Sequence, residues 1–157
     1  MAKKTFNEKL THAGDLPKIE DISQEPCAEK WGNKMLIAPP MYYNDAMGRV
    51  PYGKLTTIEH IRDRLAKQAG ADFTCWMTGG IFMNIAANAS AEREAHPELG
   101  NGLKPVPYWR TLKKGGELCE KYPGGTASHR ELLESEGHTI IQRGKRFFVE
   151  GYEQKLV

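Results

Sequence analysis

Residues 56–70 read TTIEHIRDRLAKQAG, and this stretch decides the fold class. Thr56 is followed three positions later by Glu59, which is the capping-box pattern of a helix N-terminus. Gly70 then supplies a helix stop. Three apolar side chains fall on one face of the segment: Ile58, Ile61 and Leu65. The stretch therefore predicts an amphipathic helix of about three turns.

A second helix is predicted after the turn that contains Gly70. It starts near Thr78-Gly79-Gly80, carries apolar residues over 81–86, and is loosened by Asn88 and Ser90. Two helices joined by a short glycine-containing turn are typical of a helix-turn-helix, in which the second helix reads DNA. We therefore treat the second helix as the candidate reading helix.

The rest of the chain completes the predicted fold. Residues 91–107 are polar and rich in Gly and Pro, which predicts a long loop. A third helix follows residues 123–125, with Thr126 or Ser128 as its cap, and 139–149 has the pattern of a β-hairpin. The expected fold is mainly α (α+β), a winged helix-turn-helix domain with a small C-terminal β-hairpin.

The predicted domain organisation is simple. Residues 1–30 are polar and aperiodic, and we expect an N-terminal extension that is partly ordered at most. Residues 31–157 form the predicted winged-helix domain, including the hairpin. No apolar run reaches the roughly 20 residues of a membrane span, and no apolar signal core follows Met1. We therefore expect a cytoplasmic protein with no membrane partner.

Composition narrows the function classes only a little. The net charge of +2 is too small to identify a nucleic-acid binder, since a clustered basic face is what matters. Cys27, Cys75 and Cys119 lie far apart, without the spacing of a zinc site or a disulfide framework. We predict reduced thiols, no metal and no cofactor.

Three stretches, in order, carry a resemblance to a known family. They are PYGKLTT at 51–57, PYWR at 107–110, and YPGG at 122–125 followed by LLESEG at 132–137. Together they span roughly residues 50–137 and resemble the C-terminal domain of the alkylguanine-DNA alkyltransferases. PYWR lies where that family has its Pro-Cys-His-Arg motif.

The resemblance implies a helix-turn-helix that enters the minor groove and flips the damaged nucleotide beside the motif. The family transfers an alkyl group from guanine O6 to its own cysteine. Here Tyr108 and Trp109 replace the cysteine and histidine, and a phenol with a pKa of about 10 is little ionised at neutral pH. We therefore predict no catalytic residue, as in the cysteine-less alkyltransferase-like proteins. Moving the nucleophile to Cys75 or Cys119 is not expected.

Two further departures bear on DNA binding. The family's reading helix carries an arginine finger that takes the place of the flipped base, and the resemblance aligns Gly79 with it. Residues 91–103 form an insertion where the family runs directly into its motif. The first departure speaks against efficient base flipping, and the inserted loop either lengthens the floor of the pocket or contacts something else.

The resemblance also assigns candidate DNA-contacting residues. Tyr108 and Trp109 either stack on an extruded base or only fill the vacated pocket. Arg110 matches the motif arginine and either binds the DNA backbone or forms a structural ion pair, and Glu136 has a structural use. The remaining candidates lie on the second helix, before the third helix and on the hairpin: Thr78, Phe82, Met83, Asn84, Asn88, Tyr122, Arg143, Lys145 and Arg146.

Several of these candidates keep an alternative reading. Phe82 is equally expected in the core, and Asn88 either braces the motif turn or caps its helix. Tyr122 matches the tyrosine that touches the bound base. The three basic hairpin residues either contact phosphates as a wing or form a solvated turn.

The sequence thus predicts a non-catalytic protein that binds double-stranded DNA, recognises alkylated guanine and marks it for a repair-protein partner. The alternative is a winged-helix protein-interaction or small-ligand module that no longer binds DNA. An enzyme that uses Tyr108 or a cysteine for new chemistry ranks last.

Overall fold

The computed structural model describes residues 4–157. In chain order the helices and strands of this part are α1 (Phe6–Thr11), β1 (Lys18–Asp21), α2 (Ala28–Trp31), β2 (Lys34–Ile37), α3 (Pro40–Gly48), β3 (Thr56–Thr57), α4 (Ile58–Ala69), β4 (Phe73–Thr74), α5 (Trp76–Ala95), β5 (Thr111–Leu112), α6 (Gly125–Ser135), β6 (Ile140–Arg143) and β7 (Arg146–Val149). Short 3₁₀ turns lie at 97–100, 108–110, 114–116 and 152–155. The fold is the expected α+β winged helix-turn-helix, with more helices than the sequence predicted.

Helix α4 is the helix that the opening stretch predicts, with its cap one residue later than expected. The Thr57 hydroxyl accepts a hydrogen bond from the His60 amide at 3.3 Å. Both threonines belong to the parallel β3–β5 ladder, in which Thr56 lies opposite Thr111 and Thr57 lies opposite Leu112, and the helix begins directly after Thr57. At the other end Gly70 has a left-handed φ of 74°, which confirms the predicted stop.

Helix α5 is longer than predicted at both ends. It begins at Trp76 rather than near Thr78, and it continues to Ala95 instead of loosening at Ser90. The prediction of a loop from residue 91 is therefore wrong for its first five residues. Residues 91–95 lengthen α5 by more than a turn.

A buried arginine explains this extension. Arg93 is almost fully buried, and its guanidinium donates to Asn7 Oδ1 at 2.9 Å, Asn44 Oδ1 at 3.3 Å and the Lys104 carbonyl at 2.9 Å. These partners belong to α1, α3 and the segment after α5. Residues 91–95 have the composition of a loop, but distant polar groups hold them in the helix.

The N-terminal segment packs on the rest of the fold. On α1, Leu10 enters the main core, and the buried Asn7 side chain donates to the Ala89 carbonyl at 3.0 Å. Strand β1 pairs antiparallel with β2, and β2 pairs parallel with β4. Residues 5–21 are thus folded against the helices, while the division of the chain at residue 31 stays a prediction.

The C-terminal part has one confirmed element and one correction. The predicted hairpin is present, with Ile140 opposite Val149 and Arg143 opposite Arg146. Helix α6 begins at Gly125, so the prediction that Thr126 or Ser128 caps it is wrong. Its N-cap is Gly124, whose φ of 78° provides the turn without a side-chain bond.

Two apolar clusters hold the domain together. The larger lies among α1, α3, α4 and α5, and the smaller joins β5, α6 and the hairpin. Trp109 contacts both clusters, so the 108–110 turn lies where they meet. Among residues 4–157, no helix combines the length and apolar character needed to cross a membrane.

Candidate nucleic-acid interface

The 108–110 turn, which resembles the family's motif, lies inside the fold. Tyr108 is only 7% exposed, and its ring meets that of Tyr122 edge to face at 5.3 Å. Tyr122 is 2% exposed and donates its hydroxyl to the Thr111 carbonyl at 2.8 Å. Both tyrosines fill core space in this conformation, so base contact by either one stays a prediction.

Glu136 organises the polar groups around the motif. One of its carboxylate oxygens accepts from the Trp109 indole at 2.8 Å, and the Arg110 guanidinium donates to both oxygens at 2.9–3.0 Å. The Gly53 amide adds a third partner, and a fourth donor nitrogen, at 3.2 Å. Burial alone would raise the pKa of Glu136, but these hydrogen bonds together lower it.

This arrangement decides the role of Arg110 in the structure. The Glu136 side chain is 4% exposed, and Arg110 also donates to the Val50 carbonyl at 2.7 Å. The guanidinium is therefore held in an internal ion pair, which is the structural alternative predicted for it. The Trp109 indole donates to the same glutamate, and an indole N–H cannot accept a proton.

His129 and Cys119 lie close together, but they do not form a nucleophile and base pair. His129 Nε2 lies 2.8 Å from the Trp109 carbonyl, which can only accept, so this nitrogen carries the proton. Its Nδ1 accepts the backbone amide of Cys119 at 3.1 Å. Burial lowers the pKa of His129 to about 4, so the imidazole is neutral with both nitrogens occupied.

The nucleophile candidates in this region are protonated at neutral pH. Burial raises the pKa of the Cys119 thiol, whose sulfur lies 3.3 Å from Asn84 Oδ1. Burial likewise raises the pKa of the Tyr108 phenol. A thiolate is the reactive form of cysteine, so neither side chain is activated for alkyl transfer.

The exposed face of α5 differs from the one the sequence predicted. Gly79 is buried, and a Cβ added there would lie 3.0 Å from the Tyr43 hydroxyl and 3.1 Å from Arg62. Gly79 therefore lies on the packed side of α5, and its alignment with the family's arginine finger stays a prediction. The residues that point outward are Trp76, Met77 and Ile81, which are 51%, 63% and 54% exposed.

A periodic signal could have located this face. Gly79, Met83, Ala86 and Ser90 are all buried and recur at helical spacing. Extending that pattern toward the helix start leaves Met77 and Ile81 on the outward side. The sequence analysis missed this exposed face because it assigned the residues of α5 from the family resemblance instead of from their helical spacing.

The predicted reading-helix residues are divided by the structure. Asn84 is partly exposed and Met83 is buried, and both line a groove. Phe82 packs against the Tyr43 ring with centroids 6.3 Å apart, as expected of a core residue. Thr78 bonds back to the Cys75 carbonyl at 3.5 Å. DNA contact by any of the four stays a prediction.

Asn88 connects α5 to the segment before α6. Its side-chain amide donates to the Asn84 carbonyl at 2.8 Å and to the Lys121 carbonyl at 3.2 Å. The second bond joins the reading helix to residues 113–121. Asn88 lies well inside the helix rather than at its end, and its long-range bond is to Lys121 rather than to the 107–110 turn, so both predicted roles stay predictions.

A groove of about 400 Å³ runs between α5 and residues 113–121, and we call it the reading groove. Its lining combines an apolar side with a basic side: Ile58, Arg62, Trp76, Met77, Gly80, Ile81, Met83, Asn84, Lys113, Lys114, Cys119, Glu120 and Lys121. Lys113 pairs with Glu120 at 3.3 Å. Arg62, Lys114 and Lys121 have no ion pair within the described chain. These three cations give the groove an excess of positive charge.

The hairpin lies against the same segment. The Leu118 amide donates to the Phe147 carbonyl at 2.9 Å, so strand β7 borders residues 113–121. Arg146 forms a two-pronged bond to Glu117 at 2.7 and 3.0 Å, which neutralises one of the three predicted basic residues. Arg143 lies over the Phe148 ring at 5.5 Å. Phosphate binding by Arg143, Lys145 or Arg146 stays a prediction.

A second, larger cavity lies between α3 and α4, and we call it the α3–α4 cavity. It encloses about 500 Å³ over a floor that includes Leu36, Ile61 and Leu65. Arg49 and Arg64 stand at its rim without an ion pair in the described part of the chain, and the Asp45 carboxylate lines it as well. These polar groups above an apolar floor are typical of a small-ligand site.

Comparison with known proteins gives a likeness in structure only. No protein-family model matches the chain, and no curated protein matches it. A crystal structure of S. pombe Atl1 in complex with damaged DNA containing O6-carboxymethylguanine is 20% identical, with a TM-score of 0.48. A structure of S. pombe ATL in complex with DNA is 22% identical, with a TM-score of 0.50. Each alignment covers 75% of this chain and 93% of the other. The chain therefore shares the fold of the S. pombe alkyltransferase-like protein.

Proposed function

We propose that this chain is a non-catalytic, alkyltransferase-like protein that binds double-stranded DNA and recognises alkylated guanine. The observation that carries the proposal is the reading groove, where exposed apolar side chains of α5 face cations without ion pairs. The shared fold is that of a protein crystallised with DNA. Marking the lesion for a repair-protein partner is part of the same proposal.

The two sides of the groove suit the two parts of a DNA strand. Arg62, Lys114 and Lys121 can neutralise phosphates, which supplies most of the sequence-independent affinity. Minor-groove proteins insert apolar side chains between base steps and kink the duplex. Met77 and Ile81 stand where α5 would enter and are suited to act as such wedges.

Alkylated guanine is the proposed lesion because the groove can hold a base away from the stack. Its volume of about 400 Å³ lies within the roughly 300–1,000 Å³ of ordinary ligand sites. Ile58 and Met83 give its wall apolar surface that suits an added alkyl group. An unmodified guanine lacks that group and gains nothing from this wall.

The absence of catalysis follows from the protonation of the groups beside the motif. Tyr108 and Cys119 hold their protons at neutral pH, and His129 has no free nitrogen with which to remove one. Cys119 faces Asn84 rather than a base. A bound O6-alkylguanine would therefore keep its alkyl group and be released without chemical change.

The test is a titration against matched duplexes, one with a single O6-alkylguanine and one with guanine, at two salt concentrations. We expect salt-dependent binding to both and tighter binding to the lesion. Mass spectrometry of the recovered protein should show no added alkyl group. An alkylated protein would refute the non-catalytic part, and equal affinities would leave a general DNA binder.

The α3–α4 cavity favours a second candidate, the small-ligand module. Its volume of about 500 Å³ and its two rim arginines fit a small apolar molecule with one negative charge. A screen by thermal shift with aromatic and aliphatic carboxylates tests this candidate. A carboxylate that stabilises the protein, together with no binding to either duplex, would replace the first proposal by the second.

A further inference from the structure

Two tryptophans outside the motif stand together at the start of the reading helix. Trp76 is the first residue of α5, and Trp31 is the last residue of α2. Their ring centroids are 6.2 Å apart with an interplanar angle of 79°, and Phe73 lies 5.7 Å from Trp31 on its other side. We call Trp31, Phe73 and Trp76 the aromatic platform.

The platform is partly open to solvent. Trp31 is 38% exposed and Trp76 is 51% exposed. Large rings with a polar edge are seldom left in this state on a face without a partner, because their burial is strongly favourable. The edge-to-face arrangement leaves part of the Trp76 surface free to stack on a third ring.

The backbone around the platform is fixed by local bonds. Asp72 accepts the amides of Asn33 at 2.9 Å and Lys34 at 3.0 Å, which ties the end of α2 to the turn before β4. Gly32, between Trp31 and Asn33, has a φ of 105°, and a Cβ there would lie 2.5 Å from the Asp72 side chain. Trp31 is therefore positioned by a close-packed turn rather than by a free loop.

The charge around the platform identifies the kind of partner. The Lys30 ammonium lies 5.7 Å from the Trp31 ring centre, and Trp76 itself lines the reading groove together with Arg62 and Lys114. Aromatic rings next to cations are how proteins hold single-stranded nucleic acid, by stacking on bases while neutralising phosphates. A protein partner with an apolar anchor would not require these cations.

We propose that Trp31 and Trp76 bind an unpaired nucleobase, so that the protein prefers duplexes that contain an unstacked or extrahelical base. This inference rests on the proposed function, because it needs the strand to run along the reading groove. It adds a structural criterion that does not depend on alkylation. A base displaced for any reason would be held on the platform while the flanking phosphates meet Lys30 and Arg62.

The experiment compares two fluorescein-labelled duplexes of the same sequence, one fully paired and one with a single unpaired adenine. Fluorescence anisotropy should give about tenfold tighter binding to the second duplex. With 2-aminopurine as the unpaired base, its emission should be quenched on binding because it stacks on indole. The same reporter in the fully paired duplex should change little.

The variants are Trp31→Leu and Trp76→Leu, with Tyr42→Leu as the matched control. Tyr42 is 40% exposed and lines the α3–α4 cavity, so it removes a comparable ring elsewhere. We expect each tryptophan variant to lose most of the preference, and the control to keep it. Trp31→Phe and Trp76→Phe retain an aromatic face and should give intermediate values.

The outcomes separate this inference from the proposed function. Wild-type protein that binds both duplexes equally would overturn the platform and leave DNA binding intact. A preference that survives in both leucine variants would also overturn it, because another part of the protein would then cause the preference. Binding to neither duplex would reject both proposals together.

Discussion

The buried motif at 108–110 and the exposed start of α5 are opposite kinds of environment. Around the motif two central ionisable side chains are paired: Glu136 accepts from four donor nitrogens, and both nitrogens of His129 are occupied. At the start of α5, large apolar rings and cations without ion pairs face solvent. Pairing stabilises a fold, whereas unsatisfied surface favours binding.

The residues that carry the family resemblance differ from those that we propose bind DNA. The stretches that resemble the alkyltransferases include PYWR and LLESEG, which meet in the Trp109–Arg110–Glu136 network. Trp31 and Trp76 lie outside all of these stretches. The motif residues therefore support the architecture, while the proposed binding surface is composed of other residues.

The largest expected effect concerns the buried side of this comparison. Glu136→Ala leaves the Arg110 guanidinium and the Trp109 indole without their acceptor, and should lower the free energy of unfolding by about 3–5 kcal/mol. Urea unfolding measures it. Glu134→Ala removes an exposed pair with Arg130 on the same helix and should cost about 0.5 kcal/mol or less. Similar losses in both variants would contradict the contrast.

Acid should reveal the buried histidine. His129 has a pKa of about 4 in the fold, below its ordinary 6.5, so between these values the unfolded chain binds a proton that the folded chain does not. Stability should therefore fall by about 2 kcal/mol between pH 7 and pH 5 on this account alone. His129→Gln, which keeps a donor and an acceptor, should flatten that dependence. If stability falls as steeply with pH in the variant, a group other than His129 takes up the proton on unfolding.

The exposed side is tested by charge. Lys114→Gln combined with Lys121→Gln should weaken duplex binding about tenfold at moderate salt and reduce the salt slope by about two. Lys9→Gln with Lys67→Gln removes the same charge from α1 and α4 outside the groove lining. Equal effects of the two pairs would mean that net charge, rather than the groove, governs affinity.

The smallest effect is expected at the hairpin. Lys145 has no ion pair within the described residues, in contrast to Arg146, which is bonded to Glu117. Lys145→Gln should weaken DNA binding about twofold at low salt and leave it unchanged at high salt. Titrations at both ionic strengths give the answer. A loss that persists at high salt would mean that the wing makes a specific contact.

The parts of the fold that could be predicted are those specified by neighbouring residues. Helix α4 has its apolar period and Gly70, and the hairpin has two apolar runs across a Gly turn. The extension of α5 could not be predicted, because it depends on the partners of Arg93 in distant segments. The order of residues 5–21 depends in the same way on contacts with α5 and β2.

The candidate site was only partly predictable for a similar reason. That residues 108 and 109 supply neither a thiol nor an imidazole could be predicted from the sequence, because chemistry follows residue type. Whether a side chain is buried does not follow from its residue type alone. The family resemblance directed attention to Gly79, which is buried, instead of Trp76, which is exposed. The pairing of Trp31 with Trp76 needs the β2–β4 ladder, which joins segments with no shared local pattern.

The Arg93 guanidinium has a consequence for shortening the protein. It links the first helix to three later segments from inside the fold, so a version that starts at residue 31 would leave this cation without Asn7 and expose the site of Leu10. Such a version would lack α1, and the face of α5 on which α1 packs would be exposed to solvent. The N-terminal segment therefore holds the reading helix in place, and a minimal version of this protein must begin before Thr5.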